Sequence, residues 1–227
     1  MQAFEVENII NELNLQYHNF LVDTSDILLL GDLEIECLSP TREILDNYLE
    51  KTPEKYLSSY TEGDWKKSLK ELVPFVADNS LDKSMANLTS IVLLIKGNNK
   101  TGLLTGDVTP HRFEILADLL FKDNGNKKVG LDFLKLPHHG SYRSITKEII
   151  SKFNCETFVI STDGNNNYLP NKKAFLKVIE YQDVDRDELT FLFNYSDLIA
   201  KLNFTEQEMS YFKFNIKENN FDNGIRI

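Results

Sequence analysis

A chain of 227 residues has the size of one domain, or of one domain with an insertion. With 41% hydrophobic and 26% charged residues it can bury a real core, and no apolar run approaches the ~18 residues that a membrane-crossing helix needs. The net charge of −10 argues against whole-surface attraction to nucleic acid or to an anionic membrane, although a bound divalent ion would invert the field locally.

The chain starts Met1-Gln2-Ala3-Phe4-Glu5-Val6-Glu7, acidic where a secretory signal is basic and then apolar. A cytoplasmic protein is expected, with Cys37 and Cys155 as reduced thiols in buried segments. Val6 to Leu15 reads as a short helix with Val6, Ile9, Ile10 and Leu13 on one face. Ile27 to Leu30 and Leu33 to Leu38 read as strands around Gly31-Asp32, and Ser39-Pro40 ends the second.

Residues 41 to 85 change character. Ile44, Leu45, Tyr48 and Leu49 fall at helical spacing, as do Trp65, Leu69, Leu72 and Val73, with Pro53 and Gly63 between them. This is a helical insertion between two β segments, either a lid over a cleft or a unit packed on the sheet edge. Ile91 to Ile95 and Gly102 to Thr105 make a hairpin about Gly97-Asn98-Asn99.

Thr109 and Pro110 start a helix that buries Phe113, Leu116, Ala117 and Leu120. Leu131 to Leu136 reads as a strand, Ser144 opens a helix, and Phe158 to Ser161 is the next strand. Asn171 caps a helix carrying Phe175, Val178 and Ile179; Glu188 to Phe193, Tyr211 to Ile216 and Gly224 to Ile227 supply late strands. Strands alternating with helices, plus hairpins, predict a mixed α/β sheet layered with helices.

Two segments carry chemistry. Gly106-Asp107 ends one apolar strand, and Pro137-His138-His139-Gly140-Ser141 ends another. A carboxylate at a strand end near a helix N-terminus stands where open α/β sheets place ligands, although an isolated Gly-Asp reads first as a cap or turn. Adjacent histidines after a strand are poor core filler: one suits a metal ligand and the other a group facing substrate or supporting that ligand. Two such ligands are too few to hold a catalytic metal alone. His18 reads as a surface or loop histidine, and His111 lies in the first turn after Thr109-Pro110.

The order Asn87-Leu88-Thr89-Ser90-Ile91-Val92-Leu93-Leu94, then Leu103-Leu104-Thr105-Gly106-Asp107, then Leu134-Lys135-Leu136-Pro137-His138-His139-Gly140-Ser141 resembles the metallo-β-lactamase fold. The nearest subgroup is the hydrolase domain of competence-type DNA-uptake proteins and their free-standing relatives. Ile27 to Pro40 is similar to the strand pair that precedes the Asn-x-x-Ser segment, so the likeness runs from about residue 8 to about residue 175, interrupted by the insertion. It implies an α/β fold of the αββα sandwich type, here its C-terminal half with the helical insertion at about 41–85, so that residues 1–227 form a partial domain.

The resemblance further implies one or two zinc or other divalent ions, with Asp107 as bridging ligand and His139 completing one site. His138 then acts as a catalytic or substrate-contacting group, and Asn87, Ser90 and Ser141 lie close by. The implied reaction is hydrolysis by metal-activated hydroxide, with a phosphoester or nucleic-acid substrate expected; lactone, thioester and amide bonds are also within the family's range. Lys135, Arg143 and Lys147 near the histidines favour a phosphate.

The family's His-x-His-x-Asp-His cluster has no counterpart in this chain, and Leu169 in Tyr168-Leu169-Pro170 stands where the family often has histidine. Residue 1 aligns just after the place of that cluster. The chain is then either part of an enzyme whose other half, or a partner chain, supplies the cluster, or a non-catalytic remnant working as a binding or regulatory module. Keeping Asp107 and both histidines favours the first, since ligands without a metal serve no stability purpose.

Overall fold

A computed structural model describes residues 12–13, 27–50, 63–77, 80–165, 168–182 and 188–219. The helix expected over Val6 to Leu15 falls almost wholly outside them, and His18 and the strand expected at Gly224 to Ile227 fall outside entirely.

The first strands, β1 (Ile27–Leu30) and β2 (Leu33–Ser39), form the expected hairpin, pairing Leu28 with Ile35. Helix α1 (Arg42–Glu50) follows. The rest of the described insertion holds the single-turn helix α2 (Leu69–Leu72) and a 3-10 turn at Val73–Phe75, and α3 (Met85–Leu88) starts at its end; α2 and α3 are each begun by a serine side chain that accepts a backbone amide. Next come the hairpin β3 (Val92–Gly97) and β4 (Lys100–Leu104), then the long helix α4 (Pro110–Asp123). The following strands β5 (Val129–Leu131), β6 (Phe133–Lys135), β7 (Phe153–Cys155) and β8 (Thr157–Ile160) enclose α5 (Lys147–Ile150). Helix α6 (Lys172–Tyr181), strand β9 (Leu189–Phe193), helices α7 (Asp197–Leu202) and α8 (Glu206–Phe212), and strand β10 (Phe214–Glu218) complete the described fold.

An 8-stranded mixed sheet runs β1-β2-β3-β4-β6-β8-β9-β10, antiparallel through β4 and parallel from β4 to β10. From β4 onward the order advances steadily toward one edge. Crossovers between parallel strands are right-handed, so a steady advance places the connecting helices on one face. That face is the core. Leu94, Leu103, Leu134, Phe158 and Phe191 lie in one register across it, all buried, and Phe175 of α6 packs on Phe191 with ring centroids 4.6 Å apart. The opposite face carries Leu28, Ile35, Leu93, Ile95, Leu104 and Phe133, all half-buried. In β9 every residue is buried, as a strand covered on both faces requires.

Three expected elements are corrected. The strand expected at Leu131 to Leu136 divides at Asp132, whose backbone and carboxylate both engage Thr101 at 2.8 Å; Leu131 thereby joins β5 in a separate two-stranded ladder with β7. The helix expected from Ser144 begins at Lys147, because the Thr146 hydroxyl is the group that accepts the Ile149 amide. Tyr211 belongs to α8, not to a strand: the reciprocal Thr205–Glu208 cap starts a helix that carries through Phe212.

Among the described residues, the part of the insertion from Asp64 to Leu72 packs against the start of α6. Asp64, 5% exposed, accepts the Lys172 and Lys173 amides at the start of α6, and Trp65 donates to the Pro170 carbonyl at 2.7 Å. The expected cap Asn171 makes no side-chain cap bond; its side-chain oxygen accepts the Tyr142 amide instead. Burial raises the Asp64 carboxyl pKa more than those two amide bonds lower it. Cys155 is buried, with its thiol pushed up to about 12 by burial, whereas Cys37 is only half-buried. No described helix is long and apolar enough to cross a membrane.

Candidate functional site

Because β4, β6, β8 and β9 run parallel, their carboxyl ends open on one edge of the sheet. Such an edge is where α/β sheets gather ligand-binding groups. Asp107 follows β4, His138 and His139 follow β6, Ser161 follows β8 and Asn194 follows β9.

Backbone geometry brings the first two segments together. Gly106 has φ +53, and a Cβ there would lie 2.8 Å from the Ile91 carbonyl oxygen, so only glycine lets the turn close beside Ser90-Ile91. The Gly106 carbonyl accepts the His138 amide at 3.0 Å. His138 (φ 46, ψ 51) and His139 (φ 57, ψ 24) are both left-handed, a conformation costing about 1–2 kcal/mol per residue with a Cβ. Gly140 (φ +81) follows against Pro170 and accepts the Asn171 amide. Left-handed non-glycine residues of this kind cluster at active sites and ligand clamps, which makes the histidine pair the candidate site.

His139 is oriented from behind. Its Nδ1 lies 2.6 Å from the Ser161 carbonyl oxygen, which can only accept, so Nδ1 carries the hydrogen. In the neutral ring the lone pair is therefore on Nε2, and Nε2 lies 3.6 Å from Asp107 Oδ1. The side chains are 43% and 36% exposed. A ligating histidine is commonly fixed in this way, with its second nitrogen on a carbonyl. Ser161, absent from the sequence-derived set, is fixed in turn by Asn194, whose amide donates to its hydroxyl at 3.3 Å.

His138 faces a different group. Its Nδ1 lies 3.1 Å from Asp82 Oδ2, and the Asn87 side-chain amide donates to the same oxygen at 2.7 Å. Burial alone would raise the Asp82 pKa; the hydrogen bonds from His138, Asn87 and the Ser84 amide outweigh it and hold the carboxyl at about 2. Asp82 also escaped the motif reading. Its Asp82-Lys83-Ser84 context signals a turn before a helix cap, which it also is: Oδ1 accepts the Ser84 amide.

The remaining residues divide clearly. Asn87 is at the His138 dyad, and Ser90 donates its amide to the Asn87 carbonyl and touches the Gly106 turn. Ser141 is 6% exposed and binds the His138 carbonyl through its amide, a support for the loop. The Lys135 ammonium is turned onto the Gly106 and Leu136 carbonyls at 3.3 Å. Burial lowers its pKa and the Asp107 charge partly restores it. Arg143 donates to the Leu81 carbonyl, anchoring the segment that carries Asp82. His111 is exposed in the first turn of α4, and Leu169 is buried.

Asp107 and His139 are two donors aimed at one place. A catalytic zinc takes three protein ligands and an open position, and among the described residues no group of three His, Cys, Asp or Glu side chains is placed to hold an ion. The sequence matches no protein-family model and no curated protein.

Proposed function

We propose that this chain supplies one side of the active site of a metal-dependent hydrolase of the metallo-β-lactamase superfamily, nearest the competence-type DNA-uptake hydrolases, working in the cytoplasm on phosphoester or nucleic-acid substrates. The observation that carries the reading is the Asp107–His139 pair, with the His139 lone pair set on Nε2 by the Ser161 carbonyl and turned toward the Asp107 carboxylate. A zinc or other divalent ion held there would polarise water and the scissile oxygen. The chain's own part is to bind through Asp107 and His139, to hold His138 against the reacting group, and to keep the Gly106 and His138-His139 turns closed on each other.

The ligands that complete the site would come from outside the described residues. The αββα sandwich belongs to the same proposal, and part of the sheet supports it: across β1 to β6 the face opposite the core keeps Leu28, Ile35, Leu93, Ile95, Leu104 and Phe133 half-buried, suited to a second sheet.

Co-purified with a polypeptide carrying the His-x-His-x-Asp-His segment, the chain is expected to hydrolyse bis(p-nitrophenyl) phosphate in the presence of manganese or zinc. Asp107→Ala should lower that rate by at least the roughly 10–100-fold lost when only an outer partner of a ligand is removed. A rate indifferent to Asp107→Ala would sink the hydrolase reading and leave a non-catalytic binding module in its place.

A further inference from the structure

Asp82 belongs to neither motif, yet it stands directly behind His138. The carboxyl is 12% exposed and the imidazole 28%. Both Asp82 oxygens are engaged: Oδ2 by His138 Nδ1 at 3.1 Å and Asn87 Nδ2 at 2.7 Å, Oδ1 by the Ser84 amide at 2.9 Å. The segment is tied to the histidine loop from its own side, since the Asp82 amide donates to the Arg143 carbonyl at 3.0 Å.

An ionised carboxylate only accepts hydrogen bonds, so the ring nitrogen facing it must carry a hydrogen. One contact competes. Asn87 Nδ2 also lies 3.4 Å from His138 Nδ1 and would favour the opposite tautomer. That contact is longer, and the same amide already donates to Asp82 at 2.7 Å, so the carboxylate decides.

We propose that Asp82 is the positioning residue for His138: with Asn87 it holds the neutral imidazole in its Nδ1–H tautomer, leaving the Nε2 lone pair, on the ring edge away from Asp82, for a hydrogen-bond donor such as a water or a substrate hydroxyl. The proposal rests on the hydrolase reading only for the identity of that donor. Its consequence is a division of labour between neighbouring histidines. His139, pinned by a neutral carbonyl, presents its lone pair beside Asp107; His138, pinned by a carboxylate, orients a protic group. His138 in this form cannot clamp an unprotonated phosphoryl oxygen, because Nε2 has no hydrogen to donate.

The test reads tautomers directly, by long-range proton–nitrogen correlation through the imidazole rings of the ¹⁵N-labelled, metal-free full chain at about pH 8, above the ordinary histidine range. His138 is expected as Nδ1–H. In Asp82→Ala the protonated and unprotonated nitrogen signals of His138 should exchange places as Asn87 becomes the donor to Nδ1, while His139 keeps its Nδ1–H on the Ser161 carbonyl. A wild-type His138 protonated on Nε2 overturns the proposal by itself, even if the variant fails to fold. So does an Nδ1–H tautomer that persists in a folded Asp82→Ala chain. Failure of the hydrolase reading shows elsewhere, as an activity indifferent to Asp107→Ala, and leaves this result standing.

Discussion

His138 and His139 occupy the left-handed region in succession, and neither gains packing by it: both side chains stay partly exposed. The cost is met by tertiary bonds from Gly106, Asn171 and Ser161, and by the carboxylate of Asp82. That carboxylate has a pH signature, set jointly by the hydrogen bonds from His138, Asn87 and the Ser84 amide. The Asp82 carboxyl sits at about 2 against an ordinary value of 3.8, so its contribution is fully present above about pH 4 and is lost as pH falls through 2. The shift corresponds to about 2 kcal/mol. In urea unfolding, Asp82→Asn should therefore be less stable than wild type by an amount of that order at neutral pH, with the gap closing between about pH 4 and 2. A gap that is constant with pH would mean that Asp82 acts through packing alone. At this scale Asp107, His138 and His139 were legible because glycine-punctuated strand ends advertise themselves. Asp82 and Ser161 were not: an aspartate two residues before a helix-capping serine looks like a turn, and Ser161 acts through its backbone carbonyl, which every residue possesses.

Strand β3 shows how far an apolar pattern can be read. Leu93 and Leu94 are neighbours on one strand and point to opposite faces, Leu94 buried under the helices and Leu93 half-buried on the other side. Leu94→Ala should cost about 2–5 kcal/mol, the range for a core leucine, and Leu93→Ala roughly half that or less in the isolated chain. Equal losses in denaturant titrations would show that the second face is as fully covered as the first. The β1–β2 and β3–β4 hairpins and α4 were legible because turn residues, alternation and the Thr109-Pro110 start agree locally. The division at Asp132 and the helix through Tyr211 were not, since one depends on a partner strand at Thr101 and the other on a cap six residues upstream at Thr205. The Asp64 cap on α6 is the same lesson at longer range: Asn171 has the right side chain in the right place, but a carboxylate from the insertion binds the Lys172 and Lys173 amides instead.

For the whole molecule, one topological fact organises the site. A strand order that advances steadily from β4 to β9 aligns the carboxyl ends carrying Asp107, the two histidines, Ser161 and Asn194, and it also confines the helices connecting those strands to one face. The mixed α/β class followed from the alternation of strands and helices; the strand order did not, because parallel pairing leaves no local mark. A chain of net charge −10 needs a local cation to meet a phosphate, and the Lys135 ammonium is committed to the Gly106 turn. A divalent ion between Asp107 and His139 would supply that charge. The most direct measurement is a zinc titration of the labelled chain followed at the Asp107 and His139 side chains, alone and then with a polypeptide bearing the His-x-His-x-Asp-His segment. Weak binding that shifts His139 Nε2 and the Asp107 carboxyl, tightens with the added segment and vanishes in Asp107→Ala is the expected result; a zinc response that bypasses both residues, or survives Asp107→Ala unchanged, would contradict it.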